Sequence, residues 1–382
     1  MWTVPPAEGS DAYLSDVTVT DGVTVATNMR TTPRYCAIDN DILRRADGAV
    51  DLDLPGFSGS FPTILVESLT ASVQPHLQIP DSASFPTYYD VGIRTLGPVL
   101  ALTSNSPLLP ADLYGDVDPE TLLDGTFHEL RIPVFEQSIN VGEAGDKVRF
   151  PGDIEEPTDP VDRLVADRTC APFLREWVDD GPAERYVDRI WELDHKRGTY
   201  WRWLRAVAGG TPLDGVGERS LRIEYRPIPT QPTVADVVGV QWLISGLLWG
   251  LVDADHPLST LPLTEARDCF YSAVRDGLDA DLAWVDADGA RTRDPDVVFG
   301  EVFEYARRGL RERGVAAEAV DERLAPIERR WAEQTTPSRW KLRTVRSQLD
   351  SGADLRAAIE GMQREYVDRS GSGEPLVEWP TR

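Results

Sequence analysis

The sequence predicts an α+β protein, with an antiparallel sheet from its first two thirds and helices from its last third. Segments that alternate between polar and apolar residues cluster early and in the middle, whereas nearly everything beyond Leu261 has the spacing of amphipathic helices. No G-x-G-x-x-G or G-x-x-x-x-G-K-[ST] loop supports a doubly wound nucleotide-binding sheet. We therefore predict an α+β domain over residues 1–260, with 143–160 as a loop or lobe junction, and a helical extension over 261–382 packed on it.

The N-terminal part contains a predicted hairpin and a predicted strand. "TVTDGVTVATNM" is typical of a β-hairpin turning at Asp21-Gly22. "VESLTASVQPHLQIPD", residues 66–81, separates into an apolar row and an uncharged polar row if it is one strand. The polar row contains Ser68, Thr70, Ser72, Gln74, His76 and Gln78. Such a row fits the floor of a substrate cavity, although Pro75 indicates an edge or a bulge, and a hydrogen-bonded core or surface histidine is the alternative for His76.

The remaining elements follow in order. "SFPTYYDVGIRTLGPVLALTSNSP" predicts a helix that Ser-Asn-Ser-Pro ends, with Gly97-Pro98 allowing a kink or an earlier end. "FHELRIPVFEQSI" is predicted as a strand, and "PVDRLVADRTCAPFLREWV" and "PAERYVDRIWELDHK" as helices. "GTYWRWLRAV" and "RSLRIEYRPI" are predicted to pair as strands. Thr233 then caps a helix with Asp236 at the capping-box position. The apolar run "VVGVQWLISGLLWGLV" in that helix is short for a bilayer, so we predict a buried core helix.

The strand "SLRIEYRPIP" carries the most specific chemistry. Alternation places Arg222, Glu224 and Arg226 on one face and apolar residues on the other. Two guanidiniums can bind phosphate oxygens by bidentate hydrogen bonds, and a carboxylate between them suits Mg²⁺. The alternative is a solvated ladder of alternating charges.

Composition limits the functional classes. The net charge is −25 over 382 residues, which argues against a nucleic-acid partner. Lysine is rare, since only Lys147, Lys196 and Lys341 occur among 39 basic residues, and an acidic, lysine-poor surface indicates a halophilic source. Three separated cysteines favour a reducing cytoplasm, and the N-terminus has no signal-peptide pattern. We expect neither a membrane span nor a nucleic-acid partner, and the sequence does not determine the oligomeric state.

Taken in order, these motifs resemble a known family. "SVQPHLQ", "LTSNSP", "HELRIPVFEQS", "YWRWLRAV" and "SLRIEYRPIPTQPTVADVVGVQWLISGLL" are similar to segments of carboxylate–amine ligases of the glutamate–cysteine ligase type. The resemblance covers roughly residues 30–255, and its most specific part is the Glu-x-Arg strand followed by a helix containing Asp236. It implies a glutamine-synthetase-like fold with a curved antiparallel sheet and helices packed on one face. It also implies ATP, Mg²⁺ or Mn²⁺, glutamate or a similar amino acid, and an amine such as cysteine.

The resemblance also assigns roles to residues. It implies that Arg226, Arg222 and His76 are catalytic and that Glu224 is a metal ligand. Gln78, Gln74, Asn105, Ser106 and Arg131 would contact the substrates. Two features depart from the family: no strand with paired acidic metal ligands precedes Ser10, and one histidine of the usual His-x-His-x-Gly is missing. The chain is then either an incomplete copy or a divergent relative, and the alternative function is a non-catalytic paralogue that binds a metabolite or a partner protein.

Overall fold

The fold mixes helices and sheets, as the α+β prediction requires. It is taken from a computed structural model that describes residues 17–20, 23–26, 33–69, 71–142, 146–168, 171, 191–208 and 221–380. The α-helices are α1 (Pro33–Arg45), α2 (Phe85–Thr103), α3 (Pro119–Gly125), α4 (Arg131–Ile139), α5 (Asp159–Ala166), α6 (Trp191–Arg197), α7 (Val234–Asp253), α8 (Leu263–Asp276), α9 (Pro295–Glu312), α10 (Ala317–Ala332), α11 (Pro337–Asp350) and α12 (Leu355–Ser372). The strands are β1 (Val17–Thr20), β2 (Val23–Ala26), β3 (Val50–Leu54), β4 (Phe57–Phe61), β5 (His76–Gln78), β6 (Val148–Arg149), β7 (Trp201–Arg202), β8 (Leu204–Ala208), β9 (Leu221–Tyr225), β10 (Trp284–Val285) and β11 (Arg291–Thr292).

Both predicted strand pairings are present. Strand β1 pairs with β2 in antiparallel register, and the turn between them lies outside the described residues. Strand β8 pairs with β9 and β9 pairs with β5, both antiparallel, which gives a three-stranded sheet in the order β5-β9-β8. The other described strands form two-stranded sheets, and of these β6 and β7 are parallel.

The apolar face of the three-stranded sheet packs on helix α2. The Tyr225 hydroxyl donates a hydrogen bond to the Gly92 carbonyl at 2.9 Å, and the Tyr89 hydroxyl donates to the Leu204 carbonyl at 2.8 Å. Leu204 and Ile223 are fully buried in this interface. The opposite face of the sheet, with its polar row, therefore points away from α2.

Helix α7 is the predicted apolar core helix. It begins at the Thr233 cap, whose Oγ1 accepts from the Asp236 main-chain N–H, as the capping prediction states. Its length and composition would suffice for a membrane span, but 61% of its apolar window is buried inside the protein. Gly246 and Gly250 let helix α9 approach so closely that a side chain on either would overlap the main chain of Ala306 or Tyr305.

The helical C-terminal region packs directly onto the preceding part. Helix α8 lies so close to α2 that a Cβ on Gly97 would stand 3.1 Å from the main chain of Cys269. Arg330 of α10 forms a fully buried ion pair with Asp236 of α7 at 2.8 Å. The buried side chains of both parts belong to one continuous core. The domain division at residue 260 stays a prediction.

Two element predictions are wrong. Residues 66–81 do not form one strand: a 3-10 helix occupies Ile64–Leu69, and only His76–Gln78 is a strand. The chain does run beside β9 and the residues after it, with a bridge from Ser72 to Pro229. The ladder is short because prolines on both sides, including Pro75 and Pro229, have no N–H to donate.

The second wrong prediction is the strand "FHELRIPVFEQSI", most of which is helix α4. Its buried residues include Ile132, Phe135 and Ile139, and this spacing fits one face of a helix. Pro133 is tolerated because it lies in the first turn, where main-chain N–H groups have no intrahelical acceptor. The glutamine-synthetase-like arrangement of one curved sheet also stays a prediction.

Candidate active site

The polar face of the three-stranded sheet brings together side chains from three separate segments. His76 of β5 stands opposite Glu224 of β9, and Glu224 stands opposite Arg205 of β8. Gln78 stands opposite Arg222 in the same register. Directly opposite residues of antiparallel strands point to the same side of the sheet. The histidine-and-amide row and the arginine–carboxylate–arginine row therefore share one face.

Glu224 lies at the centre of this face and is held by two arginines. Arg205 Nε donates to Glu224 Oε2 at 2.6 Å, and Arg226 Nη1 donates to Oε1 at 3.1 Å. The Glu224 side chain is only 3% exposed. Burial alone would raise the pKa of its carboxyl, but the charges of Arg226 and Arg205 outweigh burial and lower that pKa. Glu224 is therefore ionised at neutral pH, with both oxygens accepting hydrogen bonds.

His76 borders the same carboxylate without a direct hydrogen bond. Its Nε2 is 3.7 Å from Glu224 Oε1, beyond hydrogen-bonding distance, and its side chain is 35% exposed. Burial lowers the pKa of the imidazole, Glu224 raises it, and the arginines nearby lower it again, with a net decrease. His76 is thus a neutral imidazole at neutral pH, able to donate with one nitrogen and accept with the other.

Arg226 is positioned from behind by a second arginine. Arg131 of α4 is buried, and its Nη2 donates to the main-chain carbonyls of Arg226, at 3.3 Å, and Pro227. Burial lowers the pKa of Arg226 to about 10 even though Glu224 opposes that change. Arg131 therefore fixes the main chain from which Arg226 extends.

Glu67 supplies a second carboxyl from the 3-10 helix at 64–69. Burial raises its pKa to about 7, although the charges of Arg226 and Arg131 partly counteract this. A carboxyl with such a pKa changes protonation near neutral pH, which is a property of groups that exchange protons in active sites.

Comparison with known proteins identifies the family. The family model described as glutamate–cysteine ligase family 2 matches residues 23–371, most of the chain. The chain belongs to glutamate–cysteine ligase family 2. No curated protein matches the sequence. Membership in the family supports a ligase-type enzyme with small-molecule substrates such as ATP and amino acids.

The structure places Asn105 and Ser106, two residues that the family resemblance assigns to substrate, inside the core. Asn105 is buried: its Nδ2 donates to the Thr230 carbonyl at 2.6 Å and to the Tyr366 hydroxyl at 2.9 Å. Ser106 is buried beside Glu129, to which it is bridged. Asn105 thus joins the end of α2 to α12, whereas Asn105 Oδ1 and Ser106 Oγ are buried without a hydrogen-bond partner among the described residues. Contact of these two residues with substrate stays a prediction. Arg131 supports the site from within the core.

Gln74 and Gln78 differ in their positions at the sheet. Gln78 lies on the polar face, and its Nε2 donates to the Ile79 carbonyl at 3.1 Å. Gln74 is exposed and precedes β5, so it is outside the paired register.

Sequence reasoning missed Arg205 and Glu67. Arg205 was contained in the predicted strand "YWRWLRAV", but only the register with β9 places it opposite Glu224. Glu67 lies in the segment that alternation predicts as a strand, and nothing in that pattern distinguishes it from its neighbours. A register prediction from the β8–β9 pair would have found Arg205, whereas no local signal marks Glu67.

The described residues do not fit the metal site that the family implies. They contain no group of three or more His, Cys, Asp or Glu side chains able to hold a metal ion. Both oxygens of Glu224, the predicted ligand, accept hydrogen bonds from arginines. Mg²⁺ prefers several oxygen ligands and usually carboxylates, and this arginine-rich set offers few. We therefore derive no reaction step through a metal at Glu224.

Proposed function

We propose that this chain is an ATP-dependent carboxylate–amine ligase that forms a γ-glutamyl amide through an acyl phosphate. The proposal rests on family membership together with one geometric observation. Three arginines and a neutral histidine, which come from three separate segments, lie on one face of the β5-β9-β8 sheet. Such a face suits anionic carboxyl and phosphoryl groups.

The reaction has two steps that balance without any redox partner. The γ-carboxylate oxygen of glutamate attacks the terminal phosphorus of ATP, which gives γ-glutamyl phosphate and ADP. The amine of cysteine or a similar substrate then attacks the acyl carbon, phosphate leaves, and the amine nitrogen loses a proton. Arg222 and Arg226 would bind the carboxylate and the transferring phosphoryl group, since charge stabilisation is the main demand of phosphoryl transfer. His76 and Gln78 would contact the substrate or the nucleotide, and the family's Mg²⁺ or Mn²⁺ would need ligands other than Glu224.

Measurement of phosphate release from ATP tests the ligase proposal. We expect release that requires both glutamate and an amine from a panel that includes cysteine, with a γ-glutamyl product detected by mass spectrometry. Arg222→Gln should lower kcat/KM at least ~10-fold, because one charge-assisted interaction is lost. Arg356→Gln, on the exposed side of α12, is the matched control. ATP turnover that needs neither glutamate nor an amine would refute the ligase proposal.

A second candidate is a non-catalytic relative of the same fold that binds a small metabolite or a partner protein. The pairing of both Glu224 oxygens with arginines favours it, because the family's predicted metal ligand is already neutralised. The two candidates differ in their response to nucleotide: Mg·ATP should raise Tm for a ligase and leave it unchanged for the relative. The predicted cytoplasmic location and halophilic source apply to both candidates.

A further inference from the structure

The charges on the polar sheet face are unbalanced in favour of cations. Arg205 and Arg226 contact the carboxylate of Glu224, and Arg222 lies on the same sheet face two residues before Glu224. Three guanidiniums and one carboxylate leave a charge of +2. The flanking Arg131 faces two carboxyls, Glu129 at 3.8 Å and Glu67, so the wider group still carries +1 when Glu67 is ionised. This is a cationic region in a protein whose net charge is −25.

Arg222 is the member of this group without a partner. Arg205 and Arg226 are both committed to Glu224, at 2.6 and 3.1 Å. Arg222 makes no hydrogen bond or ion pair with any residue in the described ranges, and its Nε is buried without an acceptor. A buried guanidinium N–H without an acceptor is costly, and an oxyanion is the natural group to satisfy it. Its neighbours across the sheet, Gln78 and Val207, carry no charge that could do so.

A divalent cation fits this surface poorly. To reach either Glu224 oxygen, a metal would have to displace Arg205 or Arg226, and the other arginine would stay on the second oxygen. It would then stand close to the guanidiniums of Arg205 and Arg226, which now contact those oxygens, and like charges at short distances repel strongly in a partly buried site. Described residues offer no cluster of further acidic ligands to offset that repulsion.

We propose that Arg205, Arg222 and Arg226 form a cradle that binds a carboxylate or phosphate oxyanion directly, without a divalent cation. In this cradle Glu224 is a positioning residue: it is the internal counter-ion that orients Arg205 and Arg226, and Arg222 makes the free contact to the ligand. This inference goes beyond the proposed function, because it holds for the ligase and for the non-catalytic relative alike.

The test is anion binding to the full chain in excess EDTA at constant ionic strength. Isothermal titration with L-glutamate and, separately, with inorganic phosphate distinguishes the two sources of the oxyanion. We expect at least one of them to bind with an affinity that added Mg²⁺ changes less than ~3-fold. Arg222→Gln should weaken that binding about 10-fold or more, which corresponds to the loss of one charge-assisted hydrogen bond. Arg222→Lys keeps the charge but loses the parallel N–H donors of the guanidinium, so its anion affinity should lie between those of the wild type and Arg222→Gln. The affinity of Arg356→Gln should match that of the wild type.

Glu224→Gln separates the counter-ion role from the metal-ligand role. The amide still has an oxygen for Arg205, and the cradle becomes more cationic, so anion affinity in EDTA should be retained within ~3-fold or increase. Binding that appears only with Mg²⁺ and disappears in Glu224→Gln would overturn the proposal. So would the absence of binding of both anions to a correctly folded wild type. Phosphate release measures the ligase reaction separately, so turnover can persist when the metal-free cradle is refuted.

Discussion

The buried ion pair between Arg330 and Asp236 allows the sharpest stability prediction. Both side chains are fully buried, and Arg330 Nη2 donates to Asp236 Oδ1 at 2.8 Å. Asp236→Asn keeps the shape and the main-chain cap at Thr233 Oγ1 but removes the counter-charge of the guanidinium, together with the acceptor Oδ2 for Thr233 Oγ1 and the Leu376 N–H. An uncompensated buried charge costs about 3–5 kcal/mol.

That cost translates into a measurable shift in Tm. Unfolding entropy is roughly 2.1 cal/mol/K per residue near 60 °C, which gives about 0.8 kcal/mol/K for a chain of 382 residues. The Tm of Asp236→Asn should therefore fall by about 4–6 °C in differential scanning calorimetry. Adding Arg330→Met should restore part of the lost Tm, because the buried guanidinium without a counter-charge is then absent.

The control is an exposed ion pair on α9. Arg308 and Glu312 are 46% and 42% exposed, so Arg308→Gln should change the free energy of unfolding by less than about 0.5 kcal/mol. If Asp236→Asn shifts Tm no more than this control, or if the double variant is as unstable as the sum of the single ones, the buried-charge argument is wrong.

Three further predictions concern packing and protonation. Gly309→Ala should lower the free energy of unfolding in urea by about 1–3 kcal/mol, because its methyl would overlap the Gly246 carbonyl. Gly300→Ala, on the open side of the same helix, should raise that free energy by about 0.5–1 kcal/mol. Equal effects of the two substitutions would contradict this packing. Burial raises the pKa of Glu67 to about 7. The contribution of Glu67 to the free energy of unfolding is therefore complete below the pKa of the unfolded chain and is lost as pH rises through 7. Glu67→Gln should therefore gain stability relative to wild type between pH 4.5 and 8, on the order of 1–3 kcal/mol, and a difference independent of pH would refute this. Burial lowers the pKa of Lys341 to about 7, so the unfolded chain binds more protons between pH 7 and 10.5 and the wild type gains stability over that range. Lys341→Met should lack this gain, of order 2–4 kcal/mol, when stability is measured at both ends of the range, and parallel profiles would contradict the assignment.

The proposed site shows which parts of a prediction local patterns can supply. The alternation of "SLRIEYRPI" was sufficient to place Arg222 and Glu224 on one face, because strand geometry turns every second side chain to the same side. The β8–β9 pairing followed from two strand-like segments in sequence. The Thr233 cap followed from residue types and spacing alone. Each of these depends on interactions within a few residues.

The spacing of apolar residues gave the wrong secondary structure in two segments whose conformation depends on tertiary contacts. Residues 66–81 alternate as a strand would, yet the first part is a 3-10 helix and only three residues pair with β9. "FHELRIPVFEQSI" has apolar residues compatible with either period, and its packing in the core selects the helix. Short apolar segments are ambiguous because burial stabilises whichever conformation turns them inward.

The sequence by itself determined the α+β class, the helical C-terminal region, the central arginine–carboxylate–arginine strand and the scarcity of lysine. Only the tertiary structure decided what those residues contact. It pairs Glu224 with Arg205 from another strand and leaves Arg222 without a partner in the described part of the chain. It also places all three lysines against main-chain carbonyls, of Arg168, Val165 and Asn105. The physical reason is that charge balance at a site depends on distances between segments far apart in the chain, which no local pattern encodes.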